Sequence, residues 1–568
     1  MIIILFFLTQ LPVVADTVNP AADIPDSLIT DSLTVDTLPK YTIPEVLEIA
    51  DPGPPEPGSI AAVTINDYDL FLSDAFAVSP FLVKAGLLYR RGSEPYRIPV
   101  TLNSHPITNQ LTGFFNIDRL GAQFIDRITV NGDNVDLHTL INRYNRPYSY
   151  IRFMVLGKTT LYNINFTRPI TNDMGFYTAG TYRRSLVSDD TGFAYETANS
   201  FYANYYWNNF FKSRVDFVYN GSAIGEKQKT ELIDASLILG RGAITTNIFF
   251  NYNHFDFDSS AVRADDAAYG AILSGLHDLN FLRLGWHCTI KGDDARIQVL
   301  PWPPNTDQFE YFIQGGITAA KEWGRFQGIL TADLDFVGRD GFYPAPDLKI
   351  SYNPFDSLFF FVDVSRTYRI PTIIDRSFFH YDWDPYFPNF PTVGNPNLLP
   401  EISWRQEAGY RYKGWLVTFY KIDYQNYIKY RDLPDRGPFN IPKTDFIGVE
   451  NALELPLTWG FAAGIAGNYL IHAHTYRYYP KYNAEFSLSW QAEKGRARFK
   501  IFGRGRYLGP RFESDNADLR PVFSAEALVR FVTLTAVLRV DNILDDEVYD
   551  FPVSERDISL SVKWEFFD

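Results

Sequence analysis

At 568 residues the chain is too long for one ordinary soluble core. Aromatics make up 16%, with 36 Tyr and 47 Phe, yet the mean hydropathy is only −0.16; no run approaches the roughly 18 apolar residues of a spanning helix, which excludes a helical membrane protein. The net charge of −15 argues against nucleic-acid binding, and a single cysteine, Cys288, rules out a disulfide-stapled fold.

Ile2–Ala15 is the longest apolar run. It ends on Val13-Val14-Ala15 ahead of Asp16, so residues 1–15 read as a secretory signal peptide, although they carry no Lys or Arg. Residues 16–58 hold nine acids and one base, Lys40, which is more than half of the chain's charge excess. Rich in Pro, Thr and Ser, this stretch reads as a flexible acidic extension on the periplasmic side. Within it, Thr42–Ile49 (TIPEVLEI) is β-compatible.

Residues 59–147 are mixed. β-like runs at Ala61–Ile65, Tyr96–Leu102 and Phe124–Val130 alternate with helix-compatible stretches such as Asp74–Lys84. They predict a small α+β unit of about 90 residues, within the usual domain range.

From Tyr148 to the C-terminus, runs of alternating polarity follow one another. In Asp557–Phe567, Ile558, Leu560, Val562, Trp564 and Phe566 alternate with Ser559, Ser561, Lys563, Glu565 and Phe567. A side-chain period of two puts each set on one face. In lipid, the apolar set must point outward and the polar set inward. About 22 such runs occur, the even number that a single-chain outer-membrane barrel requires. Tight connections (Gly240-Arg241-Gly242, His277–Asn280, Tyr412-Lys413-Gly414) alternate with longer ones (Asp256–Asp266, Asp293–Asp307, Pro371–Leu398, Arg431–Lys443). That parity separates periplasmic turns from external loops. The predicted fold is all-β and transmembrane: an antiparallel outer-membrane β-barrel over 148–568, preceded by a plug-like α+β domain over 59–147. The expected location is the outer membrane of a Gram-negative bacterium, with lipid and the barrel assembly machinery as partners.

Three segments resemble the TonB-dependent outer-membrane receptor family. Val362–Thr372 (VDVSRTYRIPT) is followed by Gly394-Asn395-Pro396-Asn397-Leu398, Pro400-Glu401, Ser403, Glu407, Gly409 and Tyr410. Asp541-Asn542-Ile543-Leu544-Asp545 with Tyr549 is similar to the family's element before the final strand. Arg90-Arg91-Gly92, Thr101-Leu102-Asn103 with Pro106-Ile107, and Ile125-Asp126-Arg127-Ile128-Thr129-Val130 resemble its plug. Asn103-Ser104 stands where that plug has Asp-Gly, and its Gly-rich continuation is absent. A second resemblance, carried by Arg146-Pro147-Tyr148, Ile151-Arg152-Phe153, Leu161-Tyr162-Asn163 and Tyr182-Arg183-Arg184, is to Bacteroidetes-type porins of undefined cargo.

The first resemblance implies uptake of a scarce small solute, coupled to an inner-membrane TonB-type protein. Such coupling needs an extended segment that adds a strand to its partner, and Thr42, Ile43, Pro44, Glu45 and Val46 are the candidates. A passive porin and a structural or adhesive surface barrel remain as alternatives. Candidate ligand contacts are the loop residues His380, Tyr381, Trp383 and Tyr386, since loop aromatics can stack on a solute. Arg496, Arg498, Lys500, Arg504 and Arg506 share one strand face. They should line the lumen, where they could guide an anion or pair with Asp118, Asp126 and Asp133. No phosphate-binding loop, zinc motif or nucleophile elbow occurs, so neither an enzyme nor a cofactor or metal site is expected.

Overall fold

The computed structural model describes residues 60–64, 81–84, 87–108, 111–131, 133–139 and 147–567. Within the last range it leaves out 158, 172, 190–191, 209–211, 225–227, 258–261, 300–305, 356, 378, 381–391, 431–436, 474–479, 511–520 and 546–555. The signal peptide and acidic extension read from the sequence lie outside the described residues.

Twenty-two antiparallel strands close into one barrel, from Tyr148–Leu156 to Asp557–Phe567. These two strands pair with each other, Ser559 opposite Leu156 and Phe567 opposite Tyr148, and so leave no free edge. The last strand carries the alternation read from its sequence. Ile558, Leu560 and Trp564 are more than half exposed, whereas Ser559, Ser561, Lys563 and Glu565 are buried toward the lumen. Only lipid makes that outward face favourable, because water would have to solvate a continuous apolar band.

Two-residue turns at 242–243, 324–325, 413–414 and 495–496 lie on one rim, while 370–400 and 509–521 lie on the other. Phe281, Trp323, Phe326, Phe355 and Phe531 are exposed beside the short turns, as expected of an interfacial aromatic girdle. Val262–Leu279, Leu282–Val299 and Thr306–Trp323 have 18 residues each, against the roughly 9–11 that cross a bilayer. The loops expected at Asp256–Asp266 and Asp293–Asp307 are therefore short, since pairing continues to Val262 opposite Val299. Beyond the hydrocarbon a hairpin no longer needs an apolar outer face, so its sequence stops alternating while its backbone stays paired.

Inside the barrel sits a five-stranded sheet, in the order Ile60–Thr64, Ile125–Asn131, Asn134–Thr139, Val100–Leu102 and His105–Pro106. Its one parallel contact joins Val100–Leu102 to Asn134–Thr139. Leu102, Ile128, Val135 and Leu137 fill its core, which is continuous with Tyr177, Tyr202 and Val218 of the barrel wall. Of the stretch read as helix-compatible, residues 74–80 are not described. Leu82–Lys84 instead pairs as a short strand with Leu87–Tyr89. The described helical turns of this domain are 3-10 turns such as Pro95–Arg97 and Ile117–Arg119.

Candidate functional site

A cluster of almost fully buried charges lies where the inner domain meets the wall. Arg91 and Gly92 both have positive φ, at 53° and 80°. Two such residues in succession make a type I′ turn, closed here by the Ser93 N–H donating to the Arg90 carbonyl at 2.6 Å. A non-glycine residue in that region costs about 1–2 kcal/mol. The strained turn aims two adjacent guanidinium groups at the wall.

Arg90 meets Glu450 in a two-pronged contact, Nε to Oε1 at 3.0 Å and Nη2 to Oε2 at 2.9 Å. Arg91 donates to Glu407 Oε2 at 3.0 Å and ion-pairs with Glu450 at 2.8 Å. Relative exposures are 2% for Arg90, 0% for Arg91, 4% for Glu407 and 2% for Glu450. Burial works against the charge on Arg91, but Glu407 and Glu450 outweigh it and hold the guanidinium well above its ordinary value. Arg405 joins the network, pairing with Glu407 at 3.0 Å and with Asp133 of the inner domain at 3.3 Å.

Further along the same wall, Arg97 forks onto Glu401 at 2.7 and 2.9 Å and lies 3.9 Å over the Tyr427 ring. On the opposite wall, His105 Nε2 sits 2.8 Å from Asp234 and its ring stacks on Phe249. Thr139 reaches Asp216 at 3.3 Å, and Asn247 donates to the Asn103 carbonyl at 3.1 Å. These contacts fall on strands between 212 and 257 and between 401 and 456, about half a barrel apart in strand order. The inner domain thus bridges the lumen.

The Gly394–Leu398 string shapes a loop. Asn395 N–H donates to the Asp375 carbonyl at 2.8 Å, and its side chain to the Pro438 carbonyl at 3.1 Å. Arg369 pairs with Asp375 at 2.6 Å and covers the inner-domain Tyr96 ring at 4.2 Å. Gly113, at φ +76°, faces Thr372: a Cβ there would lie 2.6 Å from the Thr372 methyl carbon. Glycine is required by that approach.

The family model described as TonB dependent receptor-like, beta-barrel matches residues 101–543, well over half of the chain. The chain belongs to that family. It is an outer-membrane receptor for uptake of a scarce solute, and membership implies TonB coupling. The siderophore receptor PirA from Acinetobacter baumannii is similar, with a TM-score of 0.75 at 11% identity, over 90% of this chain and 98% of that one. The ferric enterobactin receptor PfeA from Pseudomonas aeruginosa, a mutant in complex with enterobactin, gives 0.73 at 12%, over 90% and 99%. The copper transporter OprC gives 0.72 at 12%, over 90% and 98%. At such identities these are likenesses of fold. No curated protein matches the chain.

Of this receptor's sequence-read site residues, His380 lies in the short strand Phe379–His380, paired with Thr392–Val393. Tyr381, Trp383, Tyr386 and the segment 42–46 lie outside the described residues. The basic strand Ala497–Leu508 turns Phe499 and Ile501 to the outer face. Arg496 sits in the turn before it. On the alternate face, Arg498 pairs with Glu493 at 2.6 Å, Lys500 lies 5.8 Å from the Phe502 ring, Arg504 is 3.6 Å from Asp541, and Arg506 pairs with Glu485. The pairings described here are with wall carboxylates, one or two strands away, while Asp133 is taken by Arg405.

Glu450, Asp216, Asp234 and His105 escaped sequence reasoning. Glu450, Asp216 and Asp234 gave one signal, a carboxylate at the inward parity of its strand; His105, in the inner domain, gave none.

Proposed function

We propose that this receptor imports a scarce small solute in an energy-coupled cycle, with the Arg90-Arg91 turn as the latch that coupling releases. The observation that carries this reading is the burial of both guanidinium groups against Glu407 and Glu450. Removing one partner from such a pair costs about 3–5 kcal/mol, so spontaneous opening is rare and outside work is needed. A TonB-type protein supplies that work by pairing with an extended segment at Thr42–Val46. The barrel assembly machinery inserts the chain. The solute binds between the inner domain and the 371–398 loop, against His380, Tyr381, Trp383 and Tyr386. The same latch disfavours a passive porin, whose lumen would stand open, and an adhesive barrel has no use for it.

Deleting residues 41–50 tests the coupling. Growth on the limiting solute should be lost, while heat-modifiable migration of the inserted barrel is kept. Unchanged uptake would contradict energy coupling through this segment.

A further inference from the structure

Away from the inner-domain contacts described above, the wall closes on itself through Val522–Phe531, Leu534–Asp541, Asp557–Phe567 and Tyr148–Leu156. A cleft opens there toward the lumen, lined by Arg152, Glu526, Thr535, Arg539, Ser559, Ser561 and Lys563, with Val537. Three cations and three hydroxyls face one carboxylate in a chain whose net charge is −15.

Arg152 and Lys563 are directly opposite on paired strands. Like charges so placed repel each other. Both are nonetheless buried, at 5% and 3% exposure. Lys563 turns to Glu565 at 2.9 Å, but that carboxylate also accepts from Arg530 and Tyr148, each at 2.8 Å. Arg539 is held by Asp541 at 2.7 Å. Arg152 has no carboxylate within ion-pair distance among the described residues; its described neighbour is the Tyr150 ring, at 5.9 Å. Its guanidinium faces the cleft with no described protein carboxylate paired to it, where an anion from the lumen would complete it. Ser559, Ser561 and Thr535 beside it are buried hydroxyls able to donate to the same anion.

We propose that this cleft is an oxyanion subsite, which takes a carboxylate, phosphate or sulfate group carried by a solute on its way through the lumen. Arg152 and Lys563 supply charge and the three hydroxyls supply direction. That the anion arrives on a transported solute rests on the uptake reading; the subsite itself does not.

Full-length protein in zwitterionic detergent, titrated calorimetrically with sodium sulfate in chloride-free buffer, tests this without an energy source. Failure here and failure of coupled uptake are therefore separate results. Wild type should bind one sulfate, and Arg152→Gln should weaken it at least tenfold. Ser561→Ala should weaken it severalfold, and Arg283→Gln, at the exposed rim, should leave it unchanged. If Arg152→Gln gives no heat-modifiable barrel, Ser561→Ala decides: weaker binding supports the subsite and wild-type binding overturns it. No sulfate binding by wild type, or equal weakening by Arg152→Gln and Arg283→Gln, would also overturn it.

Discussion

Arg91 of the inner domain and Glu407 of the barrel wall, 316 positions apart in the chain, meet at 3.0 Å with almost no access to water. Arg90 and Glu450 repeat the arrangement beside them. The contact is indifferent to physiological pH on the arginine side. A raised folded-state value keeps its contribution complete below the unfolded value, to be lost only as pH rises through the folded one, on the strongly alkaline side.

Arg91→Ala should therefore leave Glu407 and Glu450 buried with less compensation, costing about 3–5 kcal/mol locally. Amide hydrogen exchange in Leu87–Ser93 should speed up by orders of magnitude, with the barrel's gel migration unaltered. In wild type, the opening free energy of these amides, after correction for intrinsic rates, should be flat between about pH 6 and 9. Wild-type protection in the variant would mean that the pairs hold nothing.

Leu560 lies mid-strand, 52% exposed on the outer face, between Leu538 and Val155. Leu560→Arg should destabilise the barrel by about 2–4 kcal/mol in lipid. A urea midpoint in phosphatidylcholine vesicles reads this directly, and an unshifted midpoint would place that face away from lipid.

Replacing Tyr381 and Trp383 together with Ala should weaken solute binding by about tenfold, the loss of two aromatic contacts of about 0.5–1.5 kcal/mol each. External loops tolerate change, so the barrel should still fold. Wild-type affinity in fluorescence titration would show that these rings do not touch the solute.

The barrel was legible because lipid enforces a period of two, and Ile558 through Trp564 keep it without error. The short turns of one rim were legible because they need Gly or a residue such as Lys413, at φ 51°, but the other rim is not uniformly long, since 157–158 and 190–191 are also two-residue connections. The ends of the long hairpins were not, since their outer halves face water and need no alternation. The latch was half legible: Arg90-Arg91-Gly92 and Glu407 stood out as parts of separate motifs. That they meet, and that Glu450 joins them, depends on how one stretch of wall, the strands Glu401–Tyr412 and Pro438–Pro456, is placed against the Arg90-Arg91 turn. No local pattern encodes that placement. The Asp133 pairing shows the same limit, because its partner is Arg405 rather than the basic strand at 496–506.

Single-channel recording in planar bilayers bears most directly on the claim that a latched inner domain closes this lumen. The wild-type protein should be electrically silent, and Arg90→Ala with Arg91→Ala should produce openings. Steady, large conductance from the wild type would contradict the account and identify the barrel as an open porin.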